Sequence, residues 1–259
     1  MTRKEAKQRI EKLRKVIDYH RYLYHVLNRQ EISDAVLDSL KHELYKLELK
    51  YPEFITPDSP TQRVAGSVLE GFAKVRHEIP MISLEDIFSE EELKDWQEYL
   101  QRLEPAAEFE FFSELKIDGF AITLIYENGI FLAGATRGSG SIGEDVTQNL
   151  KTIESIPLRL EIREKLPGNE EIAKNLSKLI EKGKIEIRGE VYMEKKAFEK
   201  FNEEQKKKGL AVFANPRNLA AGSIRQLNPK FAASRPLRFL AYDIITDFVK
   251  QSTLKNIEF

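Results

Sequence analysis

The residues best placed to do chemistry lie in Glu114-Leu115-Lys116-Ile117-Asp118-Gly119, where a lysine has a carboxylate two positions away on either side. In an extended chain the side-chain period is two, so Glu114, Lys116 and Asp118 would share one face. Such a face can be a salt-bridged strand surface and nothing more. It can also present a covalent nucleophile, because lysine becomes reactive when its ammonium is desolvated or set near other cations. Gly119, lacking a Cβ, would then let a bulky ligand approach the backbone.

Other candidates carry less. Gly138-Ser139-Gly140-Ser141-Ile142-Gly143 matches the G-x-G-x-x-G pattern of dinucleotide-binding folds, which needs a strand before it, a helix after it and a parallel βαβ unit around it. Here the preceding strand reads as the second arm of a hairpin, and Glu144-Asp145 would set negative charge where pyrophosphate should sit. A Gly-rich loop at a sheet margin is the better reading, which disfavours a Rossmann oxidoreductase. His20, His25, His42 and His77 do not cluster as metal ligands in sequence. Between Gln205 and Leu240 stand Lys206, Lys207, Lys208, Arg217, Arg225, Lys230, Arg235 and Arg238 with no acid among them. That stretch could bind phosphates or could be a solvated basic face.

The elements that must position these residues follow from periodicity. Thr2 with Glu5 is a capping box, and Ile10, Leu13 and Ile17 recur at helical spacing. A break near Asn28-Arg29-Gln30 precedes Ser33, a candidate N-cap, after which Leu37, Leu40, Leu44 and Leu47 form a stripe ending at Tyr51-Pro52. Two such helices bury little alone, so an appendage packed on a larger body is expected. Thr56-Pro57-Asp58-Ser59-Pro60 is turn-rich and reads as the linker. From residue 108 the period changes to two: Phe109 to Lys116 reads as a strand, and Ala121–Tyr126 and Ile130–Thr136 flank Asn128-Gly129 as a hairpin. Lys184–Met193 and Pro236–Ile245 read as further strands, with Glu170–Lys182 a solvated helical insert. The expected class is α+β with an antiparallel sheet.

Composition narrows the function classes. The 41 Lys+Arg nearly cancel 42 Asp+Glu, so whole-chain charge argues for neither nucleic acid nor membrane. With no Cys, disulfides, thiolate zinc sites and a cysteine nucleophile are excluded. No apolar run approaches the ~18 residues of a membrane span. The N-terminus carries acid and lacks an apolar signal core, so a cytoplasmic location is expected.

K-x-D-G, as Lys116-Ile117-Asp118-Gly119, resembles motif I of the covalent nucleotidyltransferases, and the motifs after it sharpen the likeness. Ala135-Thr136-Arg137-Gly138, Gly143-Glu144-Asp145-Val146-Thr147, Glu186-Ile187-Arg188-Gly189-Glu190-Val191 and Phe213-Ala214-Asn215-Pro216-Arg217-Asn218 to Gly222-Ser223-Ile224-Arg225-Gln226 follow in order. Together with Thr56–Val64 and Met81-Ile82-Ser83-Leu84 they resemble the adenylation region of bacterial NAD-dependent DNA ligases over about residues 10–245. The resemblance implies a helical subdomain at 1–66 that binds nicotinamide mononucleotide (NMN), and a nucleotidyltransferase domain, incomplete, at 67–259.

It also implies roles. Lys116 attacks the adenylyl phosphorus of NAD, expelling NMN and leaving a phosphoramide-linked AMP, with Asp118 supporting the lysine and magnesium assisting. Glu114, with Ser83 and Leu84, recognises adenine. Glu190 holds the ribose, and Arg137 contacts the nucleotide. Arg217 and Arg225 engage nicked double-stranded DNA or its 5′-phosphate. Tyr24, His25, Asp34 and Asp38 take the NMN half. The adenylate then passes to the DNA 5′-phosphate, and the 3′-hydroxyl displaces it to seal the nick in replication and repair. A monomer that meets no membrane is expected.

Departures from the family pattern set further expectations. Leu37 stands where the family usually has an aromatic that stacks on nicotinamide, and Ser139 replaces an acid. The family's later D-G-V-V-x-K strand and a further lysine do not follow Ala241-Tyr242-Asp243, and its zinc belongs to modules not found here. The chain therefore reads as a ligase fragment with reduced adenylation and no sealing. The alternative is a shortened NAD-, NMN- or DNA-binding form without turnover.

Overall fold

The computed structural model describes residues 1–246 except 26, 28, 65–69, 85 and 163–169, with only the backbone at 64 and 170–172. The expected domain boundary at 66/67 and a helix start at 253–259 lie outside the described residues.

Two helices open the chain, α1 (Arg3–His25) and α2 (Asp34–Lys50). The capping box forms: the Thr2 amide donates to Glu5 Oε2 at 2.7 Å, and the Glu5 amide to Thr2 Oγ1 at 3.3 Å. Ser33 caps α2 through the Val36 amide. Ile10, Leu13 and Ile17 bury against Leu44, with Leu37, Leu40, Leu47 and Phe54 around them. Leu37 is thus part of this small core, whatever else it does.

The Thr56–Pro60 segment turns as expected but is no loose linker. Ser59 and Thr61 hydroxyls donate to the Glu48 carboxylate of α2, and Asp58 pairs with Arg159 at 2.6 Å. In the following 3-10 turn (Pro60–Val64), the buried Arg63 guanidinium donates to the carbonyls of Lys151, Ile153 and Ile156 at 3.1, 2.9 and 2.9 Å. Proline and serine mark turns locally, but these tertiary bonds make a pinned joint.

The main body alternates short strands and helices: β1 (Lys74–Arg76), α3 (Glu90–Leu103), β2 (Phe120–Glu127), β3 (Ile130–Thr136), β4 (Ile142–Glu144), α4 (Thr147–Lys151) and α5 (Glu170–Lys182). It continues with β5 (Lys184–Met193), α6 (Lys195–Lys207), α7 (Pro216–Ile224), α8 (Pro229–Ala233) and β6 (Leu237–Thr246). Asn128 and Gly129 adopt φ of 51° and 76°, the two positive values that a type I′ hairpin turn requires. The principal sheet runs β3-β2-β5-β6, antiparallel throughout, and β1 pairs with β4. The α+β class is as expected. The G-x-G-x-x-G segment joins β3 to β4, so a strand follows where a Rossmann site needs a helix. The α5 helix is more than a solvated insert, since Leu176, Leu179 and Ile180 pack on the core of β2 and β5.

One expectation fails outright. Phe109 to Lys116 forms no strand; Phe111, Phe112 and Leu115 are 55%, 90% and 87% exposed, and α3 beside this segment has no buried residue. Alternation defines two faces, but only a neighbouring backbone makes a strand. Among the described residues the segment finds none. The stated common face of Glu114, Lys116 and Asp118 therefore loses its basis.

Candidate active site

A cavity of about 540 Å³ opens where β2, β3, β4 and β5 meet the ends of α7. Lys116 and Asp118 reach it from the stretch preceding β2, Arg137 from the end of β3, Glu144 from β4 and Glu190 from β5. Arg217 and Arg225 come from opposite ends of α7, and Lys74 from β1. Lys116 forms no ion pair with Glu114 or Asp118. Asp118 instead faces Arg217 at 3.7 Å, an exposed contact of little energetic weight.

Gly119 serves the scaffold here. A Cβ at this position would lie 2.4 Å from the Val191 carbonyl oxygen, so the close approach of β5 already requires glycine, and the same residue lines the cavity. Glu190, on the polar side of β5, is half-buried, and its Oε2 has no hydrogen-bond partner. Burial raises its pKa above the usual carboxylate value, tempered by Lys116, Arg217 and Arg137. An orphaned acceptor in a cavity wall costs free energy until a donor arrives.

The arginines are held differently. Arg225 donates to Glu144 at 2.9 and 3.3 Å, and Lys74 donates to the same carboxylate at 3.2 Å. Burial raises Glu144, but these bonds outweigh it and bring its pKa below the ordinary value. Arg217 lies in the first turn of α7, where the helix dipole disfavours a cation by ~0.3–1 kcal/mol. Its position serves something other than helix stability. The rest of the acid-free stretch is not one basic surface: Arg235 lies 5.5 Å from the rings of both Phe201 and Phe213 and donates to Ser223, while Arg238 pairs with Glu194 and donates to the His25 carbonyl.

Ser83 joins the site indirectly, since Arg137 donates to its Oγ at 2.9 Å. Glu114 and Leu84 are exposed and do not line the cavity. Tyr242 is a residue that sequence reasoning missed. Register slips on β6, where Arg188 faces Asp243 and Gly189 faces Ala241, so Tyr242 has no partner across the ladder and stands 47% exposed. Its phenol is raised by burial and by the Glu190 charge, which puts the ring within electrostatic reach of the cavity wall. A bulge has no local sequence signal here.

Family comparison then decides the assignment. The model of the NAD-dependent DNA ligase adenylation domain matches residues 69–257, and that of the DNA ligase-like N-terminal NAD+-binding domain matches residues 3–65. The chain belongs to the NAD-dependent DNA ligase family. It is 49% identical to a DNA ligase of Thermomicrobium roseum over 240 residues, covering 93% of this chain and 33% of that one. It is also 49% identical to a DNA ligase of Coprothermobacter proteolyticus over 242 residues, and 48% identical to one of Carboxydothermus hydrogenoformans over 244. These cover 93% and 94% of this chain and 34% of each relative. The chain spans about a third of the length of the curated relatives it matches.

In this ligase-family chain the helical-module residues stand apart from the Lys116 cavity. Tyr24 is exposed and meets His25 edge-on, with ring centroids 4.8 Å apart. Asp34 accepts from Gln30 at 3.2 Å, and Asp38 lies one turn on, 3.5 Å from Lys41. None of the four lines the cavity. The His25 imidazole lies 3.6 Å from Glu154, yet burial and the surrounding Arg21, Arg63, Lys41 and Arg238 lower its pKa to about 4. It is neutral at pH 7. Among the described residues no helix is long and apolar enough to cross a membrane.

Proposed function

We propose that the Lys116 cavity performs the adenylate transfer of NAD-dependent DNA ligation. The Lys116 amine attacks the adenylyl phosphorus of NAD; a nitrogen–phosphorus bond forms, the phosphorus–oxygen bond to NMN breaks, and the amine proton leaves to solvent. Such a transfer needs positioning and charge neutralisation more than acid–base groups. Arg137 and Arg217 supply cationic surface, Asp118 orients the lysine, and Glu190 Oε2 accepts from ribose hydroxyls. Glu114, Ser83 and Leu84 recognise adenine, and Tyr242 offers it a stacking face. Tyr24, His25, Asp34 and Asp38 hold the NMN half, and Arg217 with Arg225 the 5′-phosphate of nicked DNA. The helical module is taken as residues 1–66 and the adenylation domain as 67–259.

Magnesium would neutralise developing phosphate charge. No group of three metal ligands gathers among the described residues. With Glu144 held by Arg225 and Lys74 and Glu190 given to the ribose, Asp118 is the carboxylate left for an ion that phosphate oxygens and water would mostly hold.

The observation that carries the reading is the convergence of Lys116, Arg137, Glu190, Arg217 and Arg225 on one cavity. Intact-mass measurement after incubation with NAD and magnesium tests it. One added adenylate, absent in Lys116→Met, is expected; an adduct that survives Lys116→Met overturns it. The exposed, unpaired Phe109–Lys116 segment favours a second reading, nucleotide binding without turnover, in which NAD binds and no adduct appears.

A further inference from the structure

Two residues before Glu190 on the same side of β5 lies Arg188, buried and paired with the equally buried Glu186 at 2.9 Å. The ion pair alone is no explanation, because two buried charges recover little more than their desolvation cost. The other guanidinium nitrogens supply one: they donate to the carbonyls of Ile79 and Pro80, the latter at 3.1 Å. Those residues begin a strap with no regular structure that runs toward the cavity rim. The Met81 amide donates to the Gly140 carbonyl at 2.9 Å, and the Gly140 amide donates to the Arg137 carbonyl at 2.9 Å. Gly140 has φ of 93°, and a Cβ there would lie 2.9 Å from the Met81 carbonyl oxygen, so the strap and the loop require glycine to pack this closely. The strap ends with Ser83 under the Arg137 guanidinium.

We propose that Arg188 is a positioning residue for adenine recognition: by gripping Ile79 and Pro80 it sets where Ser83 and Leu84 stand relative to Arg137 and Glu190. This rests on the adenylation reading above. The strap has no ladder of its own, so its geometry comes from bonds at three points: Arg188 at its start, the Gly140 carbonyl at Met81 and Arg137 at Ser83. Releasing the Arg188 end leaves the strap held only by the Met81–Gly140 bond and by Arg137 at Ser83, and adenine must then order its start as it binds, a cost borne by affinity. Chemistry at Lys116 is untouched once the nucleotide is seated, so the effect falls on binding and KM.

The test is the double variant Glu186→Met/Arg188→Met, which removes the pair without leaving a lone buried charge, with Arg188→Lys as a second variant that keeps the charge but loses the two-carbonyl fork. Calorimetric Kd values are measured for AMP and, separately, for NMN, alongside the NAD dependence of Lys116 adduct formation and the Tm. Expected are AMP binding weaker by about tenfold in the double variant, less in Arg188→Lys, NMN binding unchanged, and KM raised with the saturating rate held within about twofold. Equal AMP affinity in parent and variants, or equal loss for AMP and NMN, overturns the positioning role while leaving the adenylation reading intact. A parent that binds no AMP overturns both.

Discussion

Arg63→Met should be among the most damaging single changes outside the cavity. The guanidinium is buried and makes three bonds to carbonyls at the end of α4 and in the turn after it, while its Nε has no partner. Charge-assisted bonds contribute ~1.5–3 kcal/mol each before the cost of burying the ion. That burial cost is visible in the pKa of Arg63, lowered to about 10 by desolvation despite Asp18. Arg21, also buried, sits close enough for the two cations to repel. Methionine relieves both penalties but leaves the carbonyls of Lys151, Ile153 and Ile156 without donors, at ~1–3 kcal/mol each. The balance is a loss of about 3–5 kcal/mol, the scale of breaking a buried polar network. At ~2–4 °C per kcal/mol for a chain of this size, Tm should fall by about 10 °C by calorimetry. Arg63→Lys should lose nearly as much, since one ammonium cannot span the separated carbonyls of Lys151, Ile153 and Ile156. A fall below about 3 °C would mean that water caps those carbonyls and that the joint contributes little.

Two further outcomes follow from the helical module. His25 has a folded pKa of about 4 against 6.5 unfolded, so between those values the unfolded chain binds a proton that the folded chain does not, and stability rises with pH across that window and is lost as pH falls. The full shift is discounted to ~1–2 kcal/mol, because the ring keeps solvent access and faces Glu154; His25→Gln should flatten the Tm difference between pH 7 and pH 4.5, and an unchanged slope would remove His25 from the account. Leu37→Tyr should tighten NAD binding about fivefold, the ~1 kcal/mol of one stacking contact, while lowering Tm because Leu37 packs in the helical core. An unchanged Kd would show that no ring is needed there.

Where a signal is local, the sequence carried it to the structure. Thr2 and Glu5 cap each other, Ser33 caps α2, Asn128-Gly129 turns the hairpin, and the alternation of Lys184–Met193 buries Ile185 while turning Glu190 toward the cavity. Each depends on residues a few positions apart. The failures all involve a distant partner. Phe109–Lys116 alternates as well as any strand but has no neighbour to pair with; Thr56–Pro60 has linker composition, yet Glu48 and Arg159 pin it. The sequence does not show that Gly119 also makes room for the Val191 carbonyl of β5. Arg235 looked like part of a basic face and is held against phenylalanine rings.

The same distinction explains why the motifs located the cavity when local physics could not. Lysine between two carboxylates is ambiguous in sequence, because period two predicts a salt-bridged face as readily as a nucleophile. In the structure Asp118 faces Arg217 and Lys116 pairs with neither flanking acid, so the salt-bridged face does not form. Arg217 comes from the N-terminal turn of a helix whose dipole disfavours it, about a hundred residues further on. A cation kept against its helix, an acceptor on Glu190 kept without a donor and a tyrosine set out of register by a bulge are each unfavourable for folding taken singly. The first two line the cavity that holds Lys116, and the tyrosine feels the charge of Glu190 in its wall. Local costs gathered around one lysine are accounted for by a ligand that supplies the missing partners, an anion for the arginine, hydroxyls for the carboxylate and a flat ring for the tyrosine. A nucleotide is a molecule that carries all three.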